Sequence, residues 1–328
     1  MNEGWNNILS PRGLKLPLDL GRLSGGFFKT KTALEIGFGN GEYTVQWAAA
    51  NPDSLMVGLE VSFPCVVRCA RRCGKAGLSN LRMICTDARF MMKELFADES
   101  LDLVIMNFPC PWPKTRHAKR RVTAKAFADS LAAVLKIGGV FELVTDEEWY
   151  AAEVQKTLSR HEALSVSCET NFSRPVTTKY ERKWLAMEKT ITRLAAVKTK
   201  KFTVGRQTWG FNWDEEDAMH IKTGKPLPEN GLDFLLCADA RENARWTFSS
   251  CYSAGNDSAG AGSELDNKRF LVETITSDDE FEQRFYLKVV ERGEGAMVKL
   301  DGTAKVFLTP AVRFAVEDLA RRLSEASG

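Results

Sequence analysis

Five short apolar runs punctuate the first part of the chain: TALEI (32–36), SLMVGLE (54–60), LRMIC (81–85), LDLVIMN (101–107) and VFELVT (140–145). Between them lie polar-and-apolar stretches with helical spacing, at about 42–50, 62–76, 89–96, 123–135 and 147–160. Short strands alternating with helices of ten or so residues predict βαβ units, with parallel strands covered on both faces. The expected fold is α/β, a doubly wound Rossmann-like sheet. The run YERKWLAME (180–188) alternates and is expected to form an edge strand.

Near residue 195 the pattern changes. DFLLCAD, ARWTFSSC, KRFLVETI and FEQRFYLKVV read as strands, and MVKLDGTAKVFL reads as a hairpin turning at Asp301-Gly302. SAGNDSAGAGS (253–263) is expected as a solvated loop. Val312, Ala315, Val316, Leu319 and Leu323 share one face of a terminal helix. The division expected is a first domain at 1–194 and a second, smaller mixed-β domain with one helix at 195–328. In KTKKFTVGRQTWGFNW (198–213), Trp209, Phe211 and Trp213 alternate and share a strand face, which favours core packing over base stacking.

Composition places the chain among ordinary globular proteins, with 44% hydrophobic and 27% charged residues in 328. Charge separates the two parts: 27 Lys/Arg against 21 Asp/Glu up to residue 194, then 18 against 22. The resulting −4 argues against a broad RNA surface on the second part. No apolar run is long enough to span a membrane, and the N-terminus lacks a basic-then-apolar leader pattern. A cytoplasmic protein with free thiols is expected. Cys65, Cys69 and Cys73 recur every four residues along one helical face. With three histidines in the whole chain, these cysteines read as packing residues, and no metal is expected.

LEIGFGNGEY (34–43) ends the first strand and opens the first helix, where open α/β sheets bring backbone close to a ligand. Gly37, Gly39 and Gly41 supply that approach, but their G-x-G-x-G spacing departs from the dinucleotide G-x-G-x-x-G. Glu35 precedes the glycines, where an acid welcomes a cationic group. Glu60 ends the second strand and suits a ribose diol; Asp87 follows the third and can reach an adenine amino group. Three carboxylates and no phosphate partner fit S-adenosyl-L-methionine. Glu35 as a cap and Asp87 as a helix start are the structural alternatives.

NFPCPWPKTRHAKRR (107–121) cannot be a helix interior or a central strand, because its prolines lack the donor both ladders need. Lys114, Arg116, Lys119, Arg120, Arg121 and Lys125 follow one another with no acid between Asp102 and Asp129. A one-sign stretch at the ligand end of the sheet suggests RNA, with Trp112 either stacking on a base or wedged under the loop.

Those blocks, with VGLEVS, LSNLRMICTDA, GGVFELVTD and RPVTTKYE, resemble the bacterial tRNA (guanine-N7)-methyltransferases in order and spacing over about 32–190. The resemblance implies a class I methyltransferase-like fold, a monomer or homodimer, acting on the variable-loop guanine of tRNA. By position it implies Glu35, Gly37, Gly39, Glu60 and Asp87 as cofactor ligands, and Lys114, Asp146, Thr178, Lys179, Tyr180 and Glu181 as guanine and tRNA contacts. Arg116, His117, Lys119, Arg120 and Arg121 match its RNA-binding segment. Cys110 stands where the family has an aspartate, its usual catalytic candidate beside the cofactor; Cys110 and Asp146 are thus the catalytic positions expected here. Guanine N7 already carries a lone pair, so no proton need be removed. What the transition state needs is alignment and an acceptor for the positive charge growing on the purine. A thiol serves that poorly, and a tRNA-binding protein with weak or lost catalysis is the competing expectation.

Overall fold

The computed structural model describes residues 4–23, 31–114, 121, 124–170, 172, 179–208, 220–224, 227, 232, 235–253, 268–293 and 295–326. The chain divides into two units, 1–206 and 207–328.

Strands of the first unit are β1 (Ile8–Leu9), β2 (Thr32–Ile36), β3 (Leu55–Glu60), β4 (Leu81–Cys85), β5 (Leu101–Asn107), β6 (Leu135–Thr145), β7 (Leu164–Thr170) and β8 (Thr192–Lys198). Its helices are α1 (Leu20–Leu23), α2 (Glu42–Ala50), α3 (Phe63–Lys75), α4 (Ala88–Leu95), α5 (Lys125–Val134), α6 (Glu148–Leu158) and α7 (Lys179–Ala186). One eight-stranded sheet runs β1-β4-β3-β2-β5-β6-β8-β7. Pairing is parallel from β1 to β6, and β8 is antiparallel to both of its neighbours. Strand order reverses at β2, between β3 and β5, so a crevice opens beyond their carboxyl ends. The central strands are apolar throughout because helices cover both faces: all six residues of β3 are buried. On α3, Val66, Cys69, Ala70 and Cys73 are buried, while Arg68, Arg71 and Arg72 turn away. Cys69 and Cys73 are packing residues, and burial pushes both thiols' pKa values up.

Residues 180–188 differ from the expected edge strand. They lie mostly in α7, and the antiparallel position beside β6 is taken by TRLAAVK (192–198). Alternation in 180–188 is carried by Glu, Arg, Lys, Leu, Ala and Met, all good helix formers. In β8 the buried positions Thr192, Leu194, Ala196 and Lys198 alternate strictly. Lys198 is not a surface cation: its Nζ donates to the Leu135 and Ala133 carbonyls at 2.8 and 3.3 Å. Pattern places the change of architecture near 195, yet β8 and the segment after it belong to the first unit. Arg206 ties that segment down, donating from Nε to the Lys93 carbonyl at 2.7 Å and pairing with Asp98 at 2.5 Å.

The second unit has β9 (His220–Thr223), β10 (Cys237–Arg241), β11 (Ala244–Ser253), β12 (Arg269–Asp278), β13 (Phe281–Arg292), β14 (Gly295–Leu300) and α8 (Pro310–Ala326). Its sheet is antiparallel, ordered β10-β11-β12-β13-β14-β9. Helix α8 packs on one face through Val312, Ala315, Val316, Leu319 and Leu323, against Trp246, Phe248, Phe285, Leu287 and Val298. The expected 297–308 hairpin does not form. Asp301 closes a turn, its Oδ1 accepting from the Thr303 N–H at 2.9 Å, and the chain then runs without strand pairing into α8. Phe307 is instead held by a side chain: Gln283 accepts its N–H at 2.8 Å and donates to its carbonyl at 3.1 Å. Trp209, Phe211, Trp213 and residues 254–263 lie outside the described residues. Among the described residues, no helix is long and apolar enough to cross a membrane.

Candidate active site

The loop after β2 holds three glycines in the left-handed region, Gly37, Gly39 and Gly41, with φ of +71°, +53° and +74°. They do different work. A Cβ on Gly37 or Gly39 meets nothing within 4 Å, so both face open space at the crevice. A Cβ on Gly41 falls 2.1 Å from the Cys69 sulfur, so that glycine lets α2 start against α3.

Polar side chains gather at the carboxyl ends of neighbouring strands. Glu35, one residue from the end of β2, is 2% exposed. It accepts from the Thr44 hydroxyl and, at 2.8 Å, from the Asn107 amide at the end of β5. Glu60, at the end of β3, spans the loops: one oxygen accepts the Gly39 N–H and the other the Ser62 N–H, both at 2.9 Å. Each carboxylate oxygen has two lone pairs, so this arrangement leaves acceptor capacity for a diol. Asp87 follows β4 and caps α4, accepting the Arg89 N–H at 2.9 Å. Its carboxylate also grips the Arg89 guanidinium, the closest contact being 2.6 Å. An adenine amino group reaching Asp87 therefore competes with Arg89.

Beyond β5, the proline-rich loop is fixed at both ends. The Phe108 N–H donates to the Val144 carbonyl at 2.7 Å, extending the β5–β6 ladder. Phe108 and Trp112 both take left-handed conformations, φ +47° and +48°, bracketing Pro109, exposed Cys110 and Pro111. Non-glycine residues there cost about 1–3 kcal/mol each and persist only where surroundings hold them. Arg121 holds the far end. Its Nε and Nη2 donate to the Trp112 carbonyl at 3.1 and 2.9 Å, and Nη2 reaches the Pro113 carbonyl at 3.3 Å. Nη1 pairs with both oxygens of Glu153 on α6, at 2.9 and 3.2 Å. The guanidinium also lies 5.1 Å from the Trp149 ring centroid. With every N–H direction used and its side chain 10% exposed, Arg121 is built as a strut. Lys114 is exposed on the same loop; Arg116, His117, Lys119 and Arg120 lie outside the described residues.

Asp146 follows β6 and is not the cap of α6, whose cap position is Glu147. Its carboxylate pairs with Lys189 at 2.9 Å, and the Lys189 ammonium sits 3.9 Å from the Trp184 ring centroid. That link brings the end of β6 to α7, which opens with Lys179 and Tyr180 and buries Glu181 at 2% exposure. Thr178 lies outside the described residues. Sequence reasoning did not single out Thr44, Arg89, Asn107, Trp149, Glu153, Trp184 or Lys189. Asn107 alone carried a local signal, a polar residue closing an apolar strand at the ligand edge.

A switch-point crevice, an open glycine cradle and an acid at the end of the next strand define a Rossmann-like S-adenosylmethionine-dependent methyltransferase. Residues 29–194 match the model of a family described as "Putative methyltransferase". The tRNA (guanine-N(7)-)-methyltransferase of Thermotoga maritima is 35% identical over 313 residues, 94% of each chain. That of Thermus thermophilus is 30% identical over 305 residues, 90% of this chain and 89% of its own. The Salmonella typhimurium protein of the same name is 38% identical over 187 residues, 55% of this chain and 77% of its own. The chain belongs to the tRNA (guanine-N7)-methyltransferase family.

Proposed function

We propose that this protein methylates N7 of the variable-loop guanine, position 46, of tRNA. The observation that carries the proposal is positional. The anchored basic loop leaves β5, the strand beside β2, so RNA bound by that loop and a cofactor on the glycine cradle share one end of the sheet.

The residues present fit the cofactor's chemistry. Gly37 and Gly39 leave room for it, Glu60 retains lone pairs for its ribose hydroxyls, and Asp87 stands where the adenine edge is reached after displacing Arg89. Glu35 acts through Thr44 and Asn107, fixing the loop beneath the site. S-adenosylmethionine supplies a methyl group on a positively charged sulfur. Bound there, that methyl group would be open to the N7 lone pair, with the sulfur keeping the bonding pair and the positive charge going to the purine. No base is required. The chain's task is to aim guanine and exclude alternatives, with about 7–11 kcal/mol available from alignment alone.

Asp146 and the start of α7 supply the polar partners for the guanine, and Lys114 with the run 116–120 meets tRNA phosphates. Cys110, held between two prolines, stands where the family pattern has its candidate catalytic aspartate. It offers a small dipole where a carboxylate would stabilise the new charge. A cytoplasmic location is supported by the eight cysteines, none of which forms a disulfide, as suits a reducing compartment.

The test is incubation of unmodified tRNA with the protein and isotopically labelled S-adenosylmethionine, followed by nucleoside mass spectrometry. Labelled 7-methylguanosine at position 46 is expected. Tight tRNA binding with no labelled nucleoside would mean a binding protein that has lost the reaction.

A further inference from the structure

The second unit has two unlike sheet faces. Helix α8 covers one. Residues 207–328 carry 14 Lys/Arg against 22 Asp/Glu, an acidic balance of −8, yet the other face is basic. Strand register places Lys222, Arg269, Arg284, Lys288, Arg292 and Lys299 on it. Among the described strand residues its acids are Glu273 and Glu282, and Glu273 is tied to Arg284 at 2.5 Å.

Two details point to an anionic occupant. Lys288 and Lys299 are direct cross-strand partners, and Lys299 in turn faces His220. Like charges set opposite each other weaken a sheet, and Asp301 beside Lys288 offsets part of this row's charge without matching it. In the same row across β12, Lys288 is opposite Leu271 and Leu271 opposite Tyr252. Tyr252 is 50% exposed and Tyr286 37%, and their rings meet edge to face with centroids 6.2 Å apart. Exposed rings set among spaced cations make a stacking platform for unpaired bases with their phosphates alongside.

We infer that the exposed part of this face, with Tyr252 and Tyr286 as stacking plates and Lys288 and Lys299 as phosphate partners, docks an unpaired segment of the RNA. The inference rests on the tRNA reading above. It adds a contact surface in a part of the chain outside the methyltransferase sheet. Charge complementarity selects the occupant: a polyanion matches a face whose cations outnumber its acids, whereas a protein partner would need a matching acidic face.

Two full-length variants test it, Tyr252→Ala/Tyr286→Ala at exposed positions and Lys288→Gln/Lys299→Gln at half-buried ones. Binding of unmodified tRNA is measured as a function of salt, with cofactor affinity and thermal melting as controls. The tyrosine pair should weaken tRNA binding about 10- to 100-fold with an unchanged salt slope, because stacking releases no counterions. The lysine pair should lower the slope by about 1.4, two single-strand phosphate contacts. Cofactor affinity and kcat at saturating tRNA should hold. Equal tRNA affinity and slope for variants and parent overturn the inference, as does loss confined to a variant that no longer melts like the parent. These binding readouts need no turnover. A parent that binds tRNA but forms no 7-methylguanosine sinks the reaction while leaving the face testable.

Discussion

Arg121 decides between two readings of the basic loop, and replacing it with methionine separates them. The guanidinium fixes the Trp112 carbonyl with two hydrogen bonds from a charged donor in a side chain only 10% exposed. Such bonds are worth about 1.5–3 kcal/mol. Its pair with Glu153 is discounted to below about 1 kcal/mol because the glutamate is 35% exposed. Stacking on Trp149 adds roughly 0.5–1 kcal/mol. The anchor thus amounts to about 3 kcal/mol, comparable with the cost of holding Phe108 and Trp112 left-handed. Losing it shifts the ordered-to-open ratio of the loop by about 100-fold, since 1.4 kcal/mol is tenfold. Arg121→Met should therefore lower kcat/KM for tRNA methylation by about 10- to 100-fold, with cofactor affinity unchanged by calorimetry. Glu153→Gln discriminates. A strut predicts that this variant loses part of the same activity and that the two changes are coupled in a double-mutant cycle. A phosphate contact predicts a lower salt slope for Arg121→Met and no loss, or tighter tRNA binding, for Glu153→Gln. Full activity in both variants would refute the strut.

Three further outcomes are expected. Cys110→Asp should raise turnover by about 10- to 1000-fold, the worth of one electrostatic contact to developing charge, with Cys110→Ser as the control that adds no carboxylate; single-turnover kinetics reads this, and equal rates would show that backbone and Asp146 position the guanine unaided. Glu60→Gln should weaken cofactor binding by about 1–3 kcal/mol while tRNA affinity holds, and unchanged calorimetric affinity would remove Glu60 from the cofactor site. Burial opposes ionisation of Asp318, but hydrogen bonds from Trp246, Arg322 and Arg321 outweigh it and hold the carboxyl below its ordinary 3.8. Its folded value is depressed, so its stabilisation is complete above that value and is lost as pH falls through the lower folded one. Denaturant melts of the second unit should weaken below about pH 4 in the parent. In Asp318→Asn they should start roughly 2–4 kcal/mol lower at pH 7 and depend less on acid.

Local pattern was enough for much of this protein. Each apolar run is short, bounded by turn residues and separated by a helix, so strand positions such as 32–36, 81–85 and 101–107 follow from period and length alone. An acid at the end of such a run must stand at the carboxyl edge of the sheet, so the position of Glu35 and Glu60 at the crevice follows from the sequence. The terminal helix is equally local, with its apolar positions repeating every three or four residues. Tertiary structure decided whatever depends on a distant partner. Two alternating segments competed for the position beside β6, and the one able to bury every second side chain took it, leaving 180–188 to its helical propensity. Arg121 looks like its loop neighbours in the sequence, but in the fold its guanidinium is engaged by Glu153, 32 residues on, and by the Trp112 carbonyl. Glu35 is satisfied by Asn107, 72 residues away. The second unit reads as acidic by composition, and only register across β9, β12, β13 and β14 gathers its cations on one face. Period and propensity act over a few residues; charge pairing and the choice of which face stays open act across the folded sheet.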